Sequence, residues 1–514
     1  MNSNFKIFAL KNNYDSAIIG ILGALLIFLF TSHGGIGLVP DSIVYLSTAQ
    51  SAATGGGFYE FEGIPLADFP LGYPAFLGII LFITRIDILQ SAPVINMLLF
   101  FVLIYLSGCI INEFTRKNHW IKVPFLVLIA FSPILLNAYT TLLSETLFLV
   151  MILVFFVAFK RYGREKTIKK LIWVAVIAGL SCLVRYAGVT LIGAAGLMIL
   201  FDRKLNLKEK IGHIFLFGTI SVMFLAANLL RNFLIIDTMT GPRESSITSL
   251  FENIKNYTLV LGDFFKYTYL PYELVLLIGI ALFLFYVFTF VFHVAKSDKF
   301  YNYLSISVSY FSVYSVFIVF SATFSRFDKL DMRLLSPLLL PGLFPLAFGV
   351  EWLTSKLNGW KKYSFVSICV LIFSATIFYQ YKDNRDLYEM AKNSGIPGYA
   401  EDVWRDSKIL NYIKNNKQKF TEQTKIYSDG NEAVWLFTGL KSDLIPHNEY
   451  ESEITEFIDN QKIDYYIVWF YDNIDPEFLS LEKLLKEYKL KLVMSSSEGL
   501  LYYHQGSTDS QNLN

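Results

Sequence analysis

The sequence has little cysteine: three residues in 514, Cys109, Cys182 and Cys369. All lie inside apolar runs, with no partner at disulfide or metal-ligand spacing, so a disulfide scaffold and a cysteine metal site are excluded and the three read as small core residues. A nucleotide-cradling loop is also missing. "TGGGF" (54–58) has no strand before it and no Lys-Ser/Thr after it, so it reads as a flexible turn. Nor are the bases gathered on one face. The 44 Lys and Arg nearly balance 43 Asp and Glu, giving +1, and they are dispersed among short loops, so the charge gives no sign of a nucleic-acid surface. No internal repeat or low-complexity segment is present.

Apolar and aromatic residues are abundant instead. The chain is 54% hydrophobic and 17% aromatic, with a mean hydropathy of +0.46. Its many apolar runs of about 15 to 24 residues match the thickness of a hydrocarbon core, so it reads as a polytopic helical membrane protein. Lys6 and Lys11 precede the first run, Ser16 to Phe30, and no small-residue cleavage site follows. That run is expected to be a retained first helix.

Cytoplasmic loops carry the excess of Lys and Arg. The N-terminus, "RKNHWIK" (116–122), "KRYGREKTIKK" (160–170), "DRKLNLKEK" (202–210), "KSDK" (296–299) and "KLNGWKK" (356–362) are assigned to that side. This predicts a hairpin of two short helices bent near Arg185 and a re-entrant or interfacial helix over 73–86. About eleven spans result, near 16–33, 91–112, 121–137, 142–159, 171–184, 187–201, 212–234, 272–295, 303–323, 334–352 and 363–381, or twelve if 73–86 also crosses. The N-terminus is then cytoplasmic and the C-terminus extracytoplasmic. Beyond residue 381, helices near 402–416, at "EAVWLFTG", near 451–460 and near 477–488 alternate with strands "KIYSD", "DYYIVWF", "LKLVMSS" and "GLLYYH". These predict a soluble α/β domain over 382–504 and a polar tail over 505–514.

The first outer loop, 34–72, is peculiar. Its core, "PDSIVYLSTAQSAATGGGFYEFEGIPLADFPLGYP" (40–74), holds four carboxylates and no Lys or Arg. The ionisable residues that border the spans also sort to this side: Asp41, Asp68, Glu145 in "LLSETLF", Arg185 in "CLVRYAG", Arg231 in "NLLRNFL", Arg243 and Glu244 in "TGPRESS", and Arg326, Asp328, Asp331 and Arg333 in "SRFDKLDMRLLSP". Placing an ionisable residue inside a membrane helix costs roughly 2.5 to 3.5 kcal/mol on insertion scales. One reading pairs Glu145 with Arg185 as polar glue between short helices. The other gathers carboxylates and arginines round one outward cavity, the carboxylates to take a proton from a hydroxyl and the arginines to hold a phosphate. Asp41 has a simpler alternative, capping a helix over Ser42–Ala53. Asp68 could be a turn acid, and Arg326, Asp328 and Lys329 read as solvated charges. His33 has no partner at ligand spacing and reads as structural. Tyr45, Phe58, Tyr59, Phe61, Phe69 and Tyr73 read as belt aromatics or as a wall for a lipid tail or sugar ring.

"PDSIVYLSTAQ", "DFPLGYPAFLGI", "SETLF", "RYAG" and "DMRLLSPLLLP", in that order and on one side, resemble the GT-C class of integral-membrane glycosyltransferases. The likeness is nearest to relatives of protein O-mannosyltransferases and lipid A aminoarabinose transferases, and covers the whole chain. It implies an all-α polytopic membrane domain of GT-C type over 1–381, followed by the small α/β domain. It also implies transfer of a sugar, with inversion, from a polyprenyl-phosphate donor to a lipid, glycan or protein acceptor at the outer face of the cell membrane. By resemblance, Asp41 is the general base, Asp68 a candidate for acceptor contact or metal ligation, Glu145 a second acidic position and Arg333 the Arg that holds the lipid phosphate. By their chemistry Arg185, Arg231 and Arg333 are the candidates for that phosphate, and Tyr73 is counted with the substrate-contacting residues as part of the aromatic wall. The family often has two adjacent acids at the first position; here residue 42 is Ser. The metal is therefore unknown: a divalent cation stays open, and no nucleotide cofactor or nucleic-acid partner is expected. A transporter or lipid flippase, and a non-catalytic envelope assembly protein, are the competing readings; the first would predict inverted repeats.

Overall fold

The computed structural model describes residues 12–115, 118–241, 245–296, 300–325, 329–421, 424–448, 451–459, 463–471 and 478–506. Arg243, Glu244, Arg326 and Asp328 lie outside them. Up to Ser394 the described chain is helical: α1 (Tyr14–Phe30), α2 (Pro40–Ala53), α3 (Gly72–Thr84), α4 (Ile88–Phe114), α5 (His119–Ala130), α6 (Pro133–Thr140), α7 (Glu145–Glu165), α8 (Ile168–Val184), α9 (Val189–Leu200), α10 (Leu207–Ile236), α11 (Leu250–Phe265), α12 (Tyr272–Lys296), α13 (Tyr303–Phe324), α14 (Met332–Leu335), α15 (Leu339–Lys356) and α16 (Gly359–Ser394).

Among the described residues, seven segments are long and apolar enough to cross a membrane: α4, α7, α10, α12, α13, the run Met332–Lys356 and α16. The pair α5 and α6, bent by 48° where Pro133 restarts the helix, makes an eighth candidate. The chain is a multi-pass membrane protein. Each of the eleven expected spans corresponds to a helix or bent pair, but several are short. At about 1.5 Å per residue, α9 reaches only about 18 Å, and α3, the helix expected as re-entrant or interfacial, about 20 Å, less than the roughly 30 Å of hydrocarbon. The break between α8 and α9 falls at Arg185, whose extended backbone (φ −148, ψ 139) ends α8. By contrast, α16 has 36 residues and runs unbroken through Tyr381 to Ser394. The apolar runs do not announce α11, because Glu252, Asn253, Lys255 and Asn256 interrupt its sequence. It is amphipathic, burying Tyr257, Leu261 and Phe264 while Phe251 stays exposed.

Close packing needs small residues where helices meet. Gly108 of α4 is one such point, since a Cβ there would lie 2.1 Å from Ser16 Oγ of α1. Exposed Ile79, Ile83, Phe215, Leu234, Leu371 and Phe378 form the apolar exterior expected of a lipid-facing bundle.

After Ser394 come α17 (Asp402–Arg405), α18 (Lys408–Asn415), β1 (Lys425–Ser428), α19 (Asn431–Thr438), β2 (Asp443–Leu444), α20 (Glu451–Asp459), β3 (Tyr465–Phe470), α21 (Leu481–Glu487), β4 (Leu490–Ser495) and β5 (Gly499–His504). The sheet order is β2-β1-β3-β5-β4. β2, β1 and β3 run parallel, joined through α19 and α20, and β5 pairs antiparallel with β3 and β4. Tyr465, Ile467, Phe457 and Leu484 fill one side of this sheet. All four strands expected from the sequence are present; the two-residue β2 is too short to leave a periodic signal.

The sheet unit is tied to the bundle through backbone. Tyr399 N–H donates to Leu38 O at 2.8 Å, and within the sheet unit Trp404 packs edge-on against Phe470, 5.0 Å between centroids. His33 Nε2 meets Asp402 Oδ2 at 2.9 Å, and Arg405 donates to Gly34 O. His33 is thus a bridge to α17.

Candidate active site

The site begins with a short backbone ladder. Gly37 N–H donates to Thr140 O at 2.8 Å and Leu142 N–H to Gly37 O at 3.0 Å, so the strand-like approach to α2 lies beside the approach to α7. Two helices therefore start side by side, each with a carboxylate in its first turn, Asp41 in α2 and Glu145 in α7. A helix N-terminus favours such charge. Asp41 is not the cap of α2. The N-cap is Val39, whose N–H is taken by Ser42 Oγ at 3.1 Å, and this frees the Asp41 carboxylate to reach across the bundle.

What it reaches is Arg333. Asp331 caps α14 by accepting from Leu334 N–H at 2.8 Å, and Tyr314 Oη donates to Leu334 O at 2.7 Å, so the short helix is fixed at both ends. Its Arg333 directs Nη2 to Asp41 Oδ2 and Nε to Glu145 Oε1. Arg185, presented by the break between α8 and α9, takes the other Glu145 oxygen at 2.7 Å and donates to Ser144 Oγ at 2.9 Å. Four groups from four separate stretches of chain thus form one alternating chain: Asp41, Arg333, Glu145, Arg185. Glu145 is fully buried and serves two arginines. Asp41 and Arg333 keep 24% and 28% of their side-chain surface, so the open end of the chain is the Asp41 end.

Tyr45 closes one side. Its hydroxyl lies 3.3 Å from Ser144 Oγ, and its ring meets Tyr73 and Phe69 edge-on, each at 5.1 Å. Tyr73 therefore stands behind the cluster as a wall for Tyr45. Asp68 and Arg231 are elsewhere. Arg231 donates to the carbonyls of Leu66 and Phe58 and to Asn232 Oδ1 at 3.0 Å, pinning the loop to α10. Asp68 packs at Gly241 and belongs with Glu60 and Glu62 in an acidic group of the same loop. Burial, with repulsion from Asp68 and Glu62, pushes the Glu60 carboxyl up to about 8. Burial, with repulsion from Asp443 and Glu432, takes Glu62 to about 7.

The sheet unit contributes a wall of its own. Asn431 Nδ2 donates to Glu62 Oε1 at 2.7 Å, and Phe61 packs on Trp435, 5.7 Å between centroids. Glu432 accepts from Tyr399 Oη at 3.1 Å, and its carboxyl is raised by burial, with a contribution from the Asp41 charge. Glu432 is thus within electrostatic reach of Asp41. No local sequence signal announces this, because the contact exists only once α19 docks on the loop. Ser144 stands next to Glu145 in sequence, and its role emerges only from its neighbours in space. Among the described residues, no group of three His, Cys, Asp or Glu side chains converges as a metal cage.

No protein-family model matches the sequence, and no curated protein does either. Solved structures do. ArnT from Cupriavidus metallidurans bound to undecaprenyl phosphate superposes with a TM-score of 0.57 at 12% identity, over 95% of this chain and 97% of that one. The fold is GT-C-like. The archaeal oligosaccharyltransferase AglB from Archaeoglobus fulgidus, in complex with an inhibitory peptide and a dolichol-phosphate, gives 0.56 at 12% identity over 98% of this chain and 75% of its own. The arabinofuranosyltransferase AftD from Mycobacteria gives 0.51 at 13% identity, covering 96% of this GT-C-like chain and 42% of AftD. The likeness includes the sheet unit as well as the bundle, since this chain is covered almost end to end.

Proposed function

We propose that this chain is a membrane glycosyltransferase that moves a sugar from a polyprenyl-phosphate donor to a lipid, glycan or protein acceptor on the outer face of the cell membrane, with inversion at the anomeric carbon. The observation that carries the reading is the Asp41–Arg333–Glu145–Arg185 chain, open at its Asp41 end. The fold's neighbours bound to undecaprenyl phosphate and dolichol-phosphate support the donor class.

The chemistry follows from the charges. An acceptor hydroxyl attacks the anomeric carbon while Asp41 takes its proton, and the carbon–oxygen bond to the phosphate breaks with its electrons going to the lipid phosphate. That leaving group is already an anion, so it needs fixed positive charge rather than an acid. Arg333, whose Nε is engaged by Glu145, can offer its Nη donors to phosphate oxygens when Asp41 turns to the hydroxyl. Buried Glu145 keeps both guanidiniums in place and ionised. The residues that extend this picture are Tyr45 and Tyr73, which wall the site, and Asp68 and Arg231, which shape the loop around the acceptor's approach. With Asp41 and Glu145 each held by arginine, no step is assigned to a metal.

The test is transfer from radiolabelled polyprenyl-phosphate sugars in membranes carrying wild type or Asp41→Asn. Wild type transfers label to an acceptor fraction, and Asp41→Asn loses roughly 10²-fold or more. Equal rates would end the base assignment, and no wild-type transfer across a panel of donors would end the enzyme reading. Sidedness is checked with a cysteine at exposed Lys414 in a Cys369→Ala background. Labelling from outside intact cells supports the outer face, and labelling only after permeabilisation overturns it.

A further inference from the structure

At the far end of α7 lies a second polar cavity, of about 680 Å³. Glu145 opens α7 and Lys166 caps it 21 residues later, so the two ends are about 30 Å apart and the cavity sits across the membrane thickness from the carboxylate–arginine chain. It is walled by the ends of α4, α7 and α12, the turn after α9 and the approach to α13.

Its lining is cationic in excess. Five cations, Lys160, Arg164, Lys166, Arg203 and Lys204, face two carboxylates, Glu113 and Asp202. The carboxylates are taken: Glu113 pairs with Lys160 and stands 3.8 Å from Arg164, and Asp202 pairs with Lys166. Among the described residues, no carboxylate pairs with Arg203 or Lys204, and both side chains are exposed. The backbone is organised to hold them there. Lys204 N–H donates to Asp202 Oδ1 at 2.8 Å, which folds the turn over the cavity. Gly163 lets Tyr301 lie flat against α7, since a Cβ would come within 1.9 Å of the Tyr301 ring. The apolar part of the lining grades outward, from buried Phe300 through half-buried Val294 to exposed Phe201. A cavity with free cations at a helix end and an apolar flank fits a headgroup still attached to its acyl chains better than a small free anion.

We propose that this cavity binds the phosphate headgroup of an anionic phospholipid, with Arg203, Lys204 and Arg164 as the phosphate ligands, independently of the transfer site. Basic pockets between membrane helices take such headgroups because each desolvated phosphate oxygen meets a fixed cation.

The experiment uses the full chain in phosphatidylcholine nanodiscs with and without phosphatidylglycerol, and native mass spectrometry of the lipid retained. Wild type should hold phosphatidylglycerol in preference to phosphatidylcholine, and the Arg203→Gln/Lys204→Gln pair should weaken that retention roughly tenfold or more. Because neither side chain has an ion pair to lose, the variant should keep its thermal midpoint in pure phosphatidylcholine. Arg164→Gln is a second variant expected to act in the same direction. Equal retention by wild type and variants overturns the site. Thermal protection by inorganic pyrophosphate in phosphatidylcholine, with no preference for phosphatidylglycerol, overturns the lipid assignment.

Discussion

The guanidinium of Arg333 bonds the carboxylate of Asp41 across 292 residues of sequence. One residue sits on the four-residue helix that opens the run to Lys356, the other in the first turn of the helix after α1, and the bond lies at the open end of the site. Its partner bond, Arg333 Nε to Glu145, uses a different nitrogen of the same planar group. Lysine has one ammonium and no fork, so it cannot serve both carboxylates in this geometry. Arg333→Lys is expected to lower transfer by roughly 10²-fold or more, the loss typical of removing one preorganised donor to a developing anion. Single-turnover kinetics with labelled donor checks it. A rate within threefold of wild type (roughly 0.6 kcal/mol) would show that the fork is not needed.

Glu145 is predicted to matter for stability before it matters for rate. It is wholly buried between two arginines, and removing it leaves two cations facing each other without a counter-charge. Breaking a buried pair from one side costs about 3–5 kcal/mol. Glu145→Ala should lower the thermal midpoint markedly, whereas Arg185→Met removes one buried charge together with its demand on Glu145 and should be milder. Fluorescence-detected size-exclusion after heating ranks the two. The reverse order would mean that Glu145 is not the hub.

Asp429 gives the sheet unit a pH dependence. It follows β1, and both of its oxygens accept from Phe470 N–H at 3.0 Å. Burial outweighs these bonds and raises its carboxyl from 3.8 to about 7. A carboxyl raised on folding binds its proton more tightly in the folded state. Its contribution is full below the unfolded value and is lost as pH rises through about 7. Asn keeps the acceptor for Phe470 and carries no charge. Asp429→Asn should therefore match wild type at about pH 4, within the error of the measurement, and exceed it in thermal midpoint at about pH 8. A variant less stable than wild type at high pH would show that the charged form is the stabilised one.

Helix and strand positions were largely legible because burial in lipid and in a sheet leaves periods of opposite kind in the sequence. "KIYSD" and "GLLYYH" mark β1 and β5, and the broken run at Arg185 marks the α8–α9 turn. The candidate site was half legible. Asp41, Glu145, Arg185 and Arg333 stand out as charges beside apolar runs, and they converge. Asp68 and Arg231 stand out by the same rule and do not join them, because a sequence pattern gives the depth of a charge and not its angle round the bundle. Glu432 and the partnership of Ser144 with Tyr45 were invisible for another reason: they depend on docking between segments roughly 100 or more residues apart, where loop closure leaves no local trace.

Gly72, in the "FPLGYP" turn, is the position where a single methyl should test how tightly the two arms of the site are coupled. A Cβ there would lie 2.5 Å from Leu183 O and 2.9 Å from Val184 N, backbone atoms that cannot rotate away. Alanine must push α3 off the end of α8. The displacement reaches the site twice, because Tyr73 is the next residue and walls Tyr45, while Val184 is followed by Arg185. Overpacking of this kind costs about 1–3 kcal/mol, and here it should also lower the rate of transfer. Gly218 in α10 is the contrast: nothing lies within 4 Å of its added Cβ, and alanine there should be neutral or stabilising by up to about 1 kcal/mol. Thermal midpoints and transfer rates of the two variants, measured side by side, decide the point. If Gly72→Ala lost stability but kept its rate, α3 would be a structural prop only, and the cluster would be held from the α2 and α7 side alone.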